Sequence, residues 1–339
     1  MPRCLIALGA NLGDREGTLS QAIERLDATN GVKVLTQSRW HETAPVGGPG
    51  EQPAFLNGAA ILDTTLDAES LARRLHEIET ELGRRRTVRW DARALDLDLL
   101  LYDDLAIDSP QLVVPHPRMA VRRFVLEPAA QIAGDWVHPT IGWTIERLWQ
   151  HLTEAIGYLA ITGLPGSGKT QLAEALTKQS SARLIADPPP AAPGMGGGQP
   201  AADSSSPAAR REIEFLVRRQ KLLDRETWPE SGVWAVSDFW FDQSLAWSAA
   251  YLDSAGQAAV LERWSRASST IVSPKLLIVL KTGEEAIRSG PERADERQRL
   301  SDALDRLTRG PGVGPVLWLP ADDWETTVRE AAAALVSMQ

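Results

Sequence analysis

Asp96 and Asp98 sit two residues apart inside the apolar run Leu95–Tyr102. On a strand, residues i and i+2 point to the same face. Two carboxylates placed there repel each other and are costly to bury together. A divalent cation resolves that conflict, and Mg²⁺ is typically held by one or two carboxylates plus substrate phosphates. Just upstream, Arg84, Arg85, Arg86, Arg89 and Arg93 fall within ten residues of an otherwise acidic chain. Guanidinium forks match phosphate oxygens. Together these residues point to transfer of a phosphate-type group, which asks the protein for metal, positive charge and positioning. The plainer alternative is a solvated helix end followed by an edge strand with exposed acids. It accounts for the arginines alone better than for the combination.

A second constellation lies at Gly163-Leu164-Pro165-Gly166-Ser167-Gly168-Lys169-Thr170, which fits G-x-x-x-x-G-K-[ST] in full. It follows a predicted strand, Tyr158–Ile161, and precedes a predicted helix, Gln171–Lys178, the context such a P-loop needs. Gly163, Gly166 and Gly168 belong to a loop whose backbone N–H groups cradle phosphate at a helix N-terminus. Lys169 would reach the β- and γ-phosphates of ATP, and Thr170 would ligate Mg²⁺.

The elements around these motifs read as two domains, 1–153 and 158–339. The chain has 339 residues, 43% hydrophobic and 24% charged, enough to bury two cores. In the first domain, strands are predicted at Arg3–Leu8, Val32–Arg39, Phe55–Leu62 and Leu95–Tyr102. Helical spacing marks Arg15–Thr29, Ala68–Leu82 and Thr144–Leu152. In the second, strands at Tyr158–Ile161, Arg183–Ala186, Val233–Ser237, Leu276–Leu280 and Val316–Leu319 alternate with helices at Glu212–Leu223, Gln243–Leu252, Ala258–Arg266 and Arg293–Leu307, and Trp324–Val336 closes the chain. That alternation predicts a parallel sheet covered by helices, an α/β architecture. The tract Asp187–Arg210 is dominated by Pro, Gly, Ser and Ala and reads as a flexible loop of the second domain. The formal net charge of −9 argues against a diffuse basic nucleic-acid binder. The lone Cys4 excludes an intramolecular disulfide or a cysteine-based zinc site. No apolar run is long enough to span a membrane, so a cytoplasmic location is expected.

Residues 1–153 resemble the 6-hydroxymethyl-7,8-dihydropterin pyrophosphokinases of folate synthesis. The resemblance runs through Ala7-Leu8-Gly9-Ala10-Asn11-Leu12-Gly13, Thr43-Ala44-Pro45-Val46-Gly47, Gln52-Pro53-Ala54-Phe55-Leu56-Asn57, Arg93–Tyr102, Val114-Pro115-His116-Pro117-Arg118-Met119 and Arg122–Leu126. It implies a ferredoxin-like α+β fold and transfer of pyrophosphate from ATP to the pterin's hydroxymethyl oxygen, with AMP leaving. It also implies that Asp96 and Asp98 hold two Mg²⁺ ions, that Arg84, Arg86 and Arg93 neutralise charge, and that His116 and Arg122 contact the nucleotide. Phe55 and Phe124 would sandwich the pterin and Asn57 would bond its polar edge. Glu79 matches a position that helps the ATP site. Singly, Phe55 and Phe124 read equally well as core, His116 as a turn residue, and Asn57 as a strand terminator. The chain departs from the family at Asp91-Ala92, where Gly-Pro is usual, and at Gln111, where a basic residue is common.

The second half resembles bacterial deoxynucleoside kinases at Glu212–Gln220 and Val236–Asp242, and some bacteria carry such a domain behind the pterin enzyme. The resemblance implies a kinase-like P-loop fold, with Asp238 near a substrate hydroxyl and Gln220 reading the base. It puts a general base just after the second strand, where Asp187 stands; Asp187 also reads as a turn residue before prolines. The segment that contacts substrate in that family is replaced by the 187–210 tract, and lid arginines match poorly around Arg288 and Arg293. The main reading is an ATP- and Mg²⁺-dependent pterin pyrophosphokinase fused to a kinase-like P-loop domain that binds ATP, with phosphorylation of deoxynucleosides and loss of kinase activity both left open for that domain. Its rivals make the deoxynucleoside kinase dominant, or make the second half a regulatory nucleotide-binding module. Partners would be small molecules, not nucleic acid or membrane, and a homodimer would form through the P-loop domain.

Overall fold

The strand β1 (Arg3–Ala10) is apolar and buried from Cys4 onward, as befits the central strand of its sheet. It is followed by α1 (Arg15–Asp27), β2 (Val32–Gln37), β3 (His41–Thr43), β4 (Phe55–Thr64), α2 (Ala68–Glu81) and β5 (Asp96–Tyr102). Asp14 caps α1 by accepting from the Gly17 N–H, and Asp67 caps α2 by accepting from Ser70. The chain continues through β6 (Ile107–Asp108), β7 (Val113–Val114), a 3₁₀ turn at Met119–Val121, α3 (Arg123–Ala133) and α4 (Ile145–Glu154). In this computed structural model the described residues are 1–46, 52–83, 94–189, 206–228, 232–289, 294–310 and 312–338. Chain contacts divide them into one unit of Met1–Ala155 with Ala333–Gln339 and another of Ile156–Ala332.

The first unit's main sheet runs β2-β4-β1-β5, with β3 added to β4, and every pairing is antiparallel. Alternation sorts its two faces. Cys4, Ile6, Leu8 and Ala10 pack with Leu97 of β5 against Leu19 and Leu26 of α1 and Leu71, Leu75 and Ile78 of α2. The opposite face carries Ala7 and Gly9, flanked by Asn57 and Asp96 in register with Gly9, and by Ala59 and Asp98 in register with Ala7. Small residues on the central strand leave a hollow there, and α3 packs against β4 beside it. Sequence periodicity did not mark α3, because Pro128 lies inside it and proline counts against a helix.

The second unit begins with β8 (Tyr158–Gly163) and α5 (Lys169–Gln179), then β9 (Arg183–Ile185), α6 (Pro207–Leu223), β10 (Ala235–Ser237), α7 (Gln243–Tyr251) and α8 (Ser254–Ser268). It closes with β11 (Leu276–Lys281), α9 (Glu284–Ser289), α10 (Ala294–Thr308), β12 (Val316–Pro320) and α11 (Trp324–Met338). Its five strands are parallel in the order β12-β11-β8-β10-β9, as the strand–helix alternation predicted. Leu216 and Leu223 of α6 and Val260 of α8 share a core with Tyr158, Ala160, Leu277 and Val279 of the sheet.

Two boundaries differ from the sequence reading. The helix α6 starts at Pro207, inside the tract expected to be a loop to Arg210, because Ser206 caps it and Pro207 suits its first turn. The rest of that tract, 190–205, lies outside the described residues. The last residues, 333–339, group with the first unit, where Ser337 Oγ donates to the Val121 carbonyl at 2.8 Å, and not with a second domain running to 339. Helical periodicity shows that a face is apolar, not which unit buries it.

Candidate functional site

The hollow on the first sheet's open face is a cavity of about 180 Å³. Because Phe55 and Asn57 alternate on β4, and Asp96 and Asp98 on β5, all four point to that face and line it. His116, Arg118, Arg122 and Phe124 close it from the segment after β7. Phe55 and Phe124 are half-buried, unlike the fully covered core side chains, and Arg122 lies 5.4 Å from the Phe124 ring centre, a cation–π contact. Asn57 sits within β4 and does not terminate it. Its Nδ2 donates to Thr43 Oγ1 at 2.7 Å, which leaves Oδ1 on the Gly9 side. Arg15 donates to the Ala54 carbonyl at 2.7 Å, anchoring the backbone just before Phe55.

His116 serves both as a turn residue and as part of the cavity wall. Its backbone N–H donates to Leu100, and its Nδ1 accepts from the Arg118 N–H at 3.2 Å. That assignment puts the ring proton on Nε2, which stands 3.7 Å from Asp98 Oδ2. Burial, and then the charges of Arg122 and Arg118, push the imidazole well below its ordinary pKa. The ring is therefore a neutral donor at neutral pH. Arg122 Nη1 lies 3.7 Å from the same Asp98 oxygen. Asp96 and Asp98 are hard oxygen donors about 7 Å apart along one strand face. They suit Mg²⁺ completed by substrate oxygens.

Glu79, expected to help the ATP site, stands behind the cavity wall. It does not line the cavity; it lies on α2, 2% exposed, with Oε1 accepting from the Leu97 N–H at 2.8 Å. Arg84, Arg86 and Arg93, with the departures at Asp91 and Ala92, lie outside the described residues. Arg118 was not singled out from sequence, although its place two residues after His116 is a signal for it.

The second unit gathers its polar residues beyond the carboxyl ends of β8, β9 and β10, where a parallel sheet binds ligands. Gly163, Gly166 and Gly168 have φ of 150°, 78° and 90°, backbone that favours glycine. A Cβ on Gly163 would stand 2.8 Å from the Leu280 carbonyl. Lys169 Nζ donates to the carbonyls of Gly163 (3.1 Å) and Leu164 (2.9 Å), and burial pushes its pKa down against the pull of Asp187 and Asp238. Ser167 Oγ is buried in the cradle with no partner among the described residues, as a phosphate-binding donor would be. Thr170 Oγ1 donates to Asp238 Oδ2 at 2.6 Å, and Asp238 Oδ1 accepts from the Asp187 N–H at 2.6 Å. A hydroxyl and a carboxylate in contact beside a phosphate cradle suit Mg²⁺.

Asp187 is held by Arg219, whose Nε and Nη2 donate to its two oxygens at 2.8 and 2.7 Å. Arg219 Nη1 donates to Ser244, stands 3.5 Å from Glu212, and the guanidinium lies near the rings of Phe215 and Phe239. Gln220, expected to read a base, does not join this group: its amide donates to Thr270 and accepts from Arg263. The reason is helical phase. Ala209, Glu212, Leu216, Arg219 and Leu223 form the buried stripe of α6, and Gln220 falls off it. That stripe was available in the sequence and picks out Arg219.

A cavity that collects two carboxylates, two arginines and a neutral histidine on one sheet face is that of a transferase handling phosphate-type groups. Residues 5–134 match the family model described as 7,8-dihydro-6-hydroxymethylpterin-pyrophosphokinase (HPPK). The 2-amino-4-hydroxy-6-hydroxymethyldihydropteridine pyrophosphokinase of Bacillus subtilis is 48% identical over 127 residues, covering 38% of this chain and 75% of that protein. Its namesake in Synechocystis is 40% identical over 144 residues, covering 42% and 73%, and that of Pseudomonas aeruginosa 37% over 165 residues, covering 49% and 98%. The chain belongs to the HPPK family of folate biosynthesis through its first unit. Among solved structures, deoxyadenosine kinase from M. mycoides is similar at 13% identity and a TM-score of 0.41, covering 54% of this chain and all of that one.

Proposed function

We propose that the first unit transfers pyrophosphate from ATP to the hydroxymethyl oxygen of 6-hydroxymethyl-7,8-dihydropterin. The observation that carries this is the placement of Phe55, Asn57, Asp96 and Asp98 on one sheet face with His116, Arg122 and Phe124 closing over them. The strand order β2-β4-β1-β5 with α1 and α2 on one face supports the ferredoxin-like reading. Phe55 and Phe124 offer aromatic faces to the flat pterin, and Asn57 Oδ1 accepts from its polar edge. Asp96 and Asp98 would hold Mg²⁺, which when bound draws the triphosphate oxygens together and offsets their charge. His116 Nε2–H and the Arg122 guanidinium donate to phosphate oxygens. Burial keeps His116 neutral, so it donates without adding a charge beside Arg122. The hydroxymethyl oxygen bonds to the β-phosphorus and gives up its proton to solvent as the bond from that phosphorus to the α–β bridging oxygen breaks, and AMP departs with that oxygen. Pterin-dependent AMP release from ATP and Mg²⁺ tests the reading; release of ADP instead would refute it.

For the second unit, nucleotide binding at Gly163–Thr170 is supported by the orphaned Ser167 hydroxyl and the Thr170–Asp238 contact. A deoxynucleoside kinase using Asp187 as base needs that carboxylate for a substrate hydroxyl, which would have to share both oxygens with the Arg219 fork. The tie favours a nucleotide-binding module without phosphoryl transfer to deoxynucleosides. Deoxynucleoside-dependent ADP release would overturn this.

A further inference from the structure

The residue between the two aspartates, Leu97, has its own backbone anchor. The strand β5 pairs with β1 alone in its sheet. In antiparallel pairing, successive residues direct their N–H and C=O alternately to the two sides. An edge strand therefore leaves every second N–H without a strand partner. Leu97 is such a residue, and its N–H donates to Glu79 Oε1 at 2.8 Å. The other Glu79 oxygen accepts from His76 Nδ1 at 2.8 Å, one turn earlier on α2. Glu79 is 2% exposed, and the His76 side chain is 48% exposed. A carboxylate buried this far is costly unless hydrogen-bonded, and here each oxygen has a donor.

The faces explain what this chain of contacts does. Leu97 sends its side chain into the core shared with Leu75 and Ile78 of α2, while Asp96 and Asp98 turn to the cavity. Glu79 fixes the peptide from which both carboxylates project, without reaching the cavity itself. Such outer contacts set the geometry of metal ligands and are commonly worth 10–100-fold in affinity or activity.

We propose that His76 and Glu79 form a positioning relay that sets the backbone between Asp96 and Asp98, so that an α2 surface histidine governs how tightly the aspartate pair holds a divalent cation. The inference rests on the reading of Asp96 and Asp98 as the Mg²⁺ pair. Glu79 is a positioning residue in it, in place of the ATP contact expected from sequence.

The test uses the full chain with His76→Phe, which removes the donor but keeps a ring, and His76→Gln, which keeps a donor. Two readouts are taken. The first is hydrogen exchange at the Leu97 amide in ¹⁵N-leucine-labelled, metal-free protein. The second is the Mg²⁺ concentration that half-saturates pterin-dependent AMP release. His76→Phe should speed Leu97 exchange by about tenfold or more and raise the Mg²⁺ requirement by about three- to tenfold, below the full outer-contact range because it acts one bond further out. Turnover at saturating Mg²⁺ and the thermal midpoint should stay near wild type, and His76→Gln should restore both readouts. Unchanged Leu97 exchange in His76→Phe overturns the relay. Faster exchange with an unchanged Mg²⁺ requirement overturns the link to metal. A wild-type chain that releases no AMP refutes the function instead, and Leu97 exchange still decides the relay.

Discussion

On the proposed reading Gly9 lies between the pterin side and the metal side of the cavity, and Gly9→Ala tests that placement. It lies on the central strand β1, in register with Asn57 on one neighbour and Asp96 on the other. A Cβ built there stands 2.9 Å from Asn57 Oδ1, closer than real Cβ contacts come. Asn57 cannot turn away freely, because its Nδ2 is held by Thr43 Oγ1 at 2.7 Å. The methyl must displace the acceptor that faces the pterin. Leaving a buried hydrogen-bonding group badly paired costs about 1–3 kcal/mol, which is about 5- to 150-fold in affinity. The fold should survive, since alanine in a strand is favoured over glycine by about 0.5–1 kcal/mol. The assay titrates pterin at saturating ATP, then ATP at saturating pterin, following AMP. The pterin KM should rise by about 5- to 150-fold, with the ATP KM within about twofold and the thermal midpoint unchanged or higher. A wild-type pterin KM would refute the assignment of Asn57. An equal rise for ATP would mean that the methyl pushes on Asp96, so that Gly9 does not separate the two sides.

Asp98→Asn should lower kcat by at least about a hundredfold, since a neutral amide is a poor Mg²⁺ ligand, while calorimetry shows pterin still bound; near-normal turnover would remove Asp98 from the metal pair. Lys169→Ala should reduce nucleotide bound per chain from two sites to one in equilibrium dialysis and leave pterin-dependent AMP release unchanged. His138 is buried and burial holds its imidazole down to about 4 from an ordinary 6.5. The unfolded chain takes up that proton first as pH falls, so the contribution is complete above pH 6.5 and lost progressively towards pH 4. It amounts to about 3 kcal/mol, and His138→Gln should flatten that slope in denaturant titrations of the first unit.

The parts of this molecule legible from sequence are those in which one residue's type decides its place. Alternation in Leu95–Tyr102 fixed the shared face of Asp96 and Asp98 before any fold was known, and the Gly163–Thr170 spacing fixed a cradle at a helix start. What sequence left open depends on partners distant along the chain. Nothing local says that Glu79 meets Leu97 eighteen residues later in place of a ligand, or that Ser337 returns to Val121. Gln220 is a different case. The apolar stripe of α6 was readable, and following its phase would have chosen Arg219; the motif likeness pointed one residue too far, and on a helix one residue is a turn of about 100°.

The two units place their chemistry by opposite devices, and this sets what each tolerates. In the first, polar side chains project from the open face of an antiparallel sheet, and Ala7 and Gly9 form the floor. Function there depends on small side chains at fixed register, so any added carbon on the floor enters the cavity directly. In the second, the polar groups sit in loops beyond parallel strands, and the chain is free to change them without disturbing the sheet. The Arg219–Asp187 tie is not so free: Arg219, on α6, is satisfied by Asp187, Ser244 and Glu212 between two phenylalanines, so removing it would strand Glu212, whose pKa burial already pushes up. A buried charge left unpaired costs more than the pair contributes. The group therefore reads as a fixed strut beside the nucleotide cradle, whose carboxylate oxygens a substrate hydroxyl would have to share with Arg219.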